Sequence, residues 1–209
     1  MNERSRRVVD AEKGVDRLVF FSDAVIAISI TLIVLPLVDV AREPGDSSAA
    51  TFFADNGPGL LAAGVSFLVI GSYWREHHRI FNKAVGFNRM LVSINLLWLA
   101  GIAFLPLATV LQVGASHDDR LANLVYIGTI AVTTALLRCE EVVLARAGLL
   151  EVDATPTMPQ LAAHWVPVVL TVIAAAIASI VPESGLYPLL LLLLGGPIER
   201  LLVLSRRRR

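Results

Sequence analysis

Apolar residues run through the chain in six long blocks, separated by short polar stretches rich in charge, Pro and Gly. A helix of about 20 mostly apolar residues, rising about 1.5 Å per residue, crosses the roughly 30 Å hydrocarbon core of a bilayer. By that measure the pattern predicts spanning helices over residues 18–38, 58–74, 90–113, 121–137, 164–181 and 186–198. Pro36 and Asp39 are expected to close the first, and the second has room to begin as early as Ala49, after the Pro-Gly turn of the loop 42–48. Pro106 is expected to kink the third, because proline removes a backbone donor and crowds the preceding turn. The fourth continues as an amphipathic extension through Arg138, Glu140 and Glu141, Pro182 stops the fifth, and Glu199 and Arg200 follow the sixth.

Composition strengthens this reading. Of the 209 residues 56% are hydrophobic, above the roughly 45–50% of soluble domains, so the excess calls for lipid as a solvent. The chain is thus expected to be an all-α integral membrane protein, a single domain over 1–209. The first apolar block is too long for a secretory leader and lacks a small-residue cleavage site, so it reads as a retained helix. Net charge is zero, from 18 basic and 18 acidic residues, which gives no reason to expect a nucleic-acid partner. One cysteine, Cys139, allows no internal disulfide.

Where the charges fall sets the expected orientation, since cationic loops resist translocation. With segment 1–16 in the cytoplasm, sixteen of the 18 Lys and Arg lie inside, and only Arg42 and Arg120 lie outside. That bias favours an even number of crossings, with both termini cytoplasmic and the basic tail 206–209 anchored at an anionic leaflet. Seven acids on the outer loops, among them Asp39, Asp55 and Asp118, read as solvated loop charge or as a means of concentrating cations.

The first helix carries the chemistry that most needs explaining. Asp23 lies well inside it, and an aspartate within a membrane helix costs about 2.5–3.5 kcal/mol on insertion scales unless it faces protein or water. Ser72, Trp74, His77 and His78 near the end of the second helix, and Ser93 and Asn95 near the start of the third, lie at a matching depth. A polar cluster of Arg17, Ser22, Asp23, Trp74, His77 and Asn95 at one membrane level is therefore expected. A metal site is not: adjacent histidines on a helix point about 100° apart, and no carboxylate or cysteine stands at ligand spacing. Beyond Asp23 the helix turns aliphatic. Ile28, Leu32 and Leu35 share one face, with Thr31 beside them. That spacing suits a hydrophobic constriction in a pore, but a packed or lipid-facing helix shows it equally.

The string Arg17-x-x-x-Phe21-Ser22-Asp23, followed by Ala-Val-Ile-Ala-Ile, resembles the signature of the bacterial branch of the transmembrane protein 175 potassium channel family. The run from Phe67 to Arg79, with Gly71, Tyr73, Trp74, His77 and His78, and the segment from Asn95 to Pro106 resemble that family as well. The likeness is close over the first half of the chain and rests on helix count over the rest. It implies six transmembrane helices per subunit, a homotetramer, and a central pore lined by the first helix. It places the narrowest apolar ring at Ile28, further rings at Leu32 and Leu35, and the pore threonine at Thr31. Arg17, Phe21, Ser22 and Asp23 match the motif that braces the first helix, and Trp74, His77 and Asn95 are assigned to the same network. The implied activity is passive permeation of K⁺, with other monovalent cations as possible passengers, in a bacterial inner membrane and without a cofactor. No Thr-Val-Gly-Tyr-Gly filter string occurs.

Two rival classes have less support. An intramembrane enzyme would need a catalytic constellation, and the chain holds no His-Glu-x-x-His, no Gly-x-Ser-x-Gly and no inward pair of aspartates. A secondary transporter, or a proton or cation leak, is the alternative. A transporter would normally show broken helices in both halves, and Gly195-Gly196-Pro197 is the only such break.

Overall fold

The computed structural model describes residues 3–42, 48–116 and 118–198, with side chains from Lys13 onward. Among them the regular elements are helical: α1 (Glu3–Ala41), α2 (Ala49–Asp55), α3 (Gly57–Phe81), α4 (Arg89–Gly114), α5 (Arg120–Arg146), α6 (Met158–Ala163) and α7 (Val166–Ile180), followed by a 3-10 segment over Tyr187–Leu194. Among the described residues five stretches are long and apolar enough to cross a membrane: Lys13–Ala41, Gly57–Phe81, Arg89–Gly114, Arg120–Arg146 and Met158–Ile180.

The helix starts follow from side chains that satisfy otherwise orphaned backbone donors. Asn88 accepts from the Leu91 amide at 2.8 Å to begin α4, and Asp119 accepts from Leu121 and Ala122 at 2.9 and 3.0 Å to begin α5. Gln160 accepts from the Thr157 amide at 2.8 Å in the capping box that opens α6.

Three expectations need correction. Pro36 does not close α1, which continues to Ala41, because one lost backbone bond is tolerated in a helix whose neighbours repack around it. The second apolar block does not reach back to Ala49 as one helix, since Asn56 caps α2 with its amide on the Phe52 carbonyl and α3 begins anew at Gly57 with Pro58 in its first turn. The last block is not a regular α-helix from Leu186. Its apolar helical stretch, Tyr187–Ile198, is shorter than a spanning helix and starts as 3-10. Glu199, Arg200 and the tail 206–209 lie outside the described residues.

α4 is the centre of the bundle. It packs on α1, α3 and α5, while α7 covers the far side of α5 and carries the Tyr187–Leu194 segment. Trp98, Leu91, Ile102 and Leu105 of α4 are wholly buried among Ile70 of α3 and Tyr126, Ile127 and Leu137 of α5. Gly101 sets the close approach of α4 to α5, since a methyl group there would stand 2.5 Å from the Thr133 hydroxyl. Side chains, not loops, tie the helices crosswise: Ser66 of α3 bonds both Thr109 of α4 and Tyr126 of α5 at 2.8 Å, and the Tyr73 hydroxyl donates to the Ile130 carbonyl at 2.8 Å.

Candidate functional site

α1 has two unlike faces. Ser22, Ile26, Ser29 and Ile33 are 0%, 2%, 2% and 3% exposed and pack on the α3–α4 side. Ile28, Leu32 and Leu35 point the other way and are 60%, 42% and 47% exposed within the subunit. Thr31 is exposed beside them, its hydroxyl donating to the Ile28 carbonyl at 2.7 Å, so its hydrogen is spent on the helix and its lone pairs remain outward. Among the described residues the subunit leaves this aliphatic wall about half exposed.

The predicted polar cluster resolves into two adjoining sets. In the buried set, Asn95 of α4 is the hub: Ser22 approaches its Oδ1 at 3.2 Å, and its Nδ2 lies 3.1 Å from His77 Nε2 and 3.3 Å from Glu140 Oε1. Ser22, His77, Asn95 and Glu140 are all 0% exposed. The His77 ring is sandwiched between Trp98, stacked at 4.6 Å and 5°, and Phe81 at 4.1 Å and 18°. The second set lies nearer the surface: the Trp74 indole N–H donates to Asp23 Oδ1 at 3.1 Å, and His78 Nε2 lies 3.6 Å from Asp23 Oδ2. Asp23 thus has the partners that its cost demands.

Arg17 and Phe21 do not join either set. Both are exposed, and Arg17 makes no hydrogen bond or ion pair among the described residues. Sequence reasoning missed Glu140, which looked like part of an amphipathic extension, and the role of His78. It also missed a charged network at the same end of the bundle. There Arg138 of α5 binds Glu76 of α3 at 2.6 Å and Glu141 at 3.0 Å, Arg79 binds Glu76 at 2.7 Å, and His164 Nδ1 meets Glu141 at 2.9 Å. The signal was present in the i, i+3 pairs Glu76/Arg79 and Arg138/Glu141. A polar cavity of about 240 Å³ opens beside this network, lined by Arg79, Lys83, Glu141, Asp153, Gln160 and His164. Among the described residues no group of three or more His, Cys, Asp or Glu is placed to hold a metal ion.

Residues 17–106, which contain α1, the α3 histidines and the Asn95 hub, match the family model described as endosomal/lysosomal potassium channel TMEM175. This stretch is similar to the TMEM175 family. The chain is 35% identical over 107 residues to a potassium channel of Streptomyces collinus, covering 51% of this chain and 52% of that protein. It is 38% identical over 101 residues to a potassium channel of a Chryseobacterium species, covering 48% and 50%. The endosomal/lysosomal proton channel TMEM175 of Gallus gallus is 37% identical over 100 residues, covering 44% of this chain and 20% of that one. The chain thus spans about half the length of the bacterial relatives it matches, and less of the vertebrate one. Beyond the matched half, the fold itself extends the likeness. The crystal structure of a lysosomal potassium-selective channel TMEM175 homolog from Chamaesiphon minutus superposes with a TM-score of 0.64 at 23% identity, covering 94% of this chain and 98% of that one. The chain has the TMEM175 fold and is a multi-pass membrane protein.

Proposed function

We propose that the chain is the subunit of a K⁺-permeable cation channel, in which ions pass without coupling through a constriction lined by α1. The observation that carries this reading is the division of α1: its polar face is fastened into the bundle, and its aliphatic face, Ile28, Leu32 and Leu35, is left about half exposed by the described residues of its own subunit. In the proposed assembly, 1–209 forms one channel domain with six crossings and both termini in the cytoplasm. The last crossing is supplied by the stretch from Tyr187 onward. Four copies surround a central axis in a bacterial inner membrane. Ile28 makes the narrowest ring, Leu32 and Leu35 the next, and Thr31 adds an oxygen between them. Forcing an ion through aliphatic rings strips its water, which costs less for K⁺ than for Na⁺. Ser22, Asp23, Trp74, His77 and Asn95 brace the helix that holds the rings, and Arg17 and Phe21 complete the motif in contacts beyond the single subunit. The names of the two bacterial relatives support this reading.

A proton leak is the second reading, favoured by the proton-channel name of the Gallus gallus relative. Purified protein in K⁺-loaded liposomes separates the possibilities. A channel gives flux when an ionophore relieves the charge imbalance, with no second gradient required. A flux that saturates and needs a partner ion identifies a transporter, and acidification that persists without K⁺ identifies the leak. Ile28→Asn is expected to raise K⁺ flux or erode selectivity, and unchanged currents remove Ile28 from the constriction.

A further inference from the structure

In its observed orientation the Asn95 amide leaves its own oxygen short of a hydrogen, whatever the charge on Glu140. Ser22 has one hydroxyl hydrogen and two acceptors, the Leu18 carbonyl at 2.8 Å and Asn95 Oδ1 at 3.2 Å. When the nearer carbonyl takes it, Asn95 Oδ1 receives none. Meanwhile Asn95 Nδ2 serves both His77 Nε2 and Glu140 Oε1. Glu140 Oε2 and His77 Nδ1 are buried without a protein partner among the described residues.

Among the described residues no cation offsets Glu140. From α3 the titratable group is His77, held to Asn95, and from α4 the facing group is Asn95 itself. On α5, Cys139 is the adjacent residue, while Arg138 is committed to Glu76 and Glu141. His164, which precedes α7, is committed to Glu141. A carboxylate buried without a cation is among the costliest groups a protein can hold, and gaining a proton removes that cost.

Half a turn of the Asn95 amide repairs the account, because its oxygen and nitrogen exchange places with little movement of other atoms. We propose that Glu140 is a proton-binding site and that Asn95 transmits its occupancy to α1. With the proton present, the Glu140 hydroxyl and the His77 Nε2 hydrogen both point at Asn95 Oδ1. The Asn95 amide then donates to Ser22, and Ser22 donates to the Leu18 carbonyl. When the Glu140 O–H bond breaks, its proton leaves for bulk water and the His77 hydrogen moves from Nε2 to Nδ1, so Glu140 Oε1 and His77 Nε2 can both only accept. The amide turns back, and Ser22 loses its donor. Ser22 lies six residues before Ile28 on the same helix, so the proton state of the core reaches the bracing of the aliphatic wall. The site lies inside the subunit, away from that wall, and is not a step of permeation.

The proton site stands apart from the channel reading, and only its effect on flux rests on that reading. Infrared difference spectra of the full chain in liposomes test it. Wild type is expected to show a protonated-carboxyl carbonyl band at neutral pH that alkaline buffer removes and isotope-labelled glutamate shifts, and Glu140→Gln is expected to lack it. Absence of the band from wild type, or its persistence in Glu140→Gln, overturns the proposal. In the same vesicles wild-type K⁺ flux is expected to change at least about fivefold between the two buffers, the low end of typical coupling between sites, while Glu140→Gln keeps its neutral-pH rate. A wild-type flux indifferent to pH overturns the link to α1. If the assembled protein conducts at no pH but the band behaves as expected, the channel reading fails and the proton site is supported.

Discussion

The two faces of α1 differ in what they touch and therefore in what their residues are for. On one, serines and isoleucines alternate and every side chain meets α3 or α4, with Ser22 at the Asn95 hub and Ile26 and Ile33 in the core. On the other, Ile28, Leu32 and Leu35 stay 60%, 42% and 47% exposed within the subunit. In a bilayer, apolar bulk alone does not drive packing, so the fastened face needs close contact and hydrogen bonds. The open face is free to answer to another demand. A mutation on the fastened face is thus expected to cost folding, and one on the open face to alter ion flow.

The largest effect should come from Asn95→Leu. It strands His77 and Glu140 in the core, and with each buried unpaired group costing about 1–3 kcal/mol, a loss of about 3 kcal/mol or more is expected in unfolding from mixed micelles. A change under a third of that would mean the hub is not a brace. Next comes a matched pair of truncations. Ile26→Ala on the fastened face is expected to cost about 2 kcal/mol through the cavity it leaves, whereas Ile28→Ala is expected to cost less than about 0.5 kcal/mol and to increase flux. Equal costs at the two sites would erase the distinction between the faces. Asp23→Ala should follow, losing the Trp74 and His78 contacts at about 1 kcal/mol and lowering the yield of assembled protein more than the conductance of what assembles. The smallest effect is expected from Thr31→Val. Its hydroxyl already bonds the Ile28 carbonyl, so stability should hold and only the K⁺ to Na⁺ preference should shift.

How much of this was legible in the sequence depended on whether neighbours or distant partners decided the outcome. Spans were legible because lipid demands long apolar helices: α4 runs from Arg89 to Gly114 where residues 90–113 were expected. Boundaries set by single bonds were not, as Asn56 separating α2 from α3 and the unbroken passage of α1 through Pro36 illustrate. Within the site, Ser22, Asp23, Trp74, His77 and Asn95 came out of the cost of polar groups in a membrane, and the structure brings them together in two sets. Glu140 was hidden because the charges around Arg138 read as an amphipathic extension of the helix. Its burial depends on α4 closing over it, which is a contact between residues 45 positions apart. The outward direction of Ile28 meets either lipid or a pore, and the assembly decides between them.

An image of the assembled particle in a lipid nanodisc tests that choice most directly. Symmetry-related copies of Ile28 are expected to face one another across a central axis at the narrowest point of a continuous opening. Ile28 found on the outer perimeter against acyl chains, or an assembly closed along its axis by other helices, would contradict it.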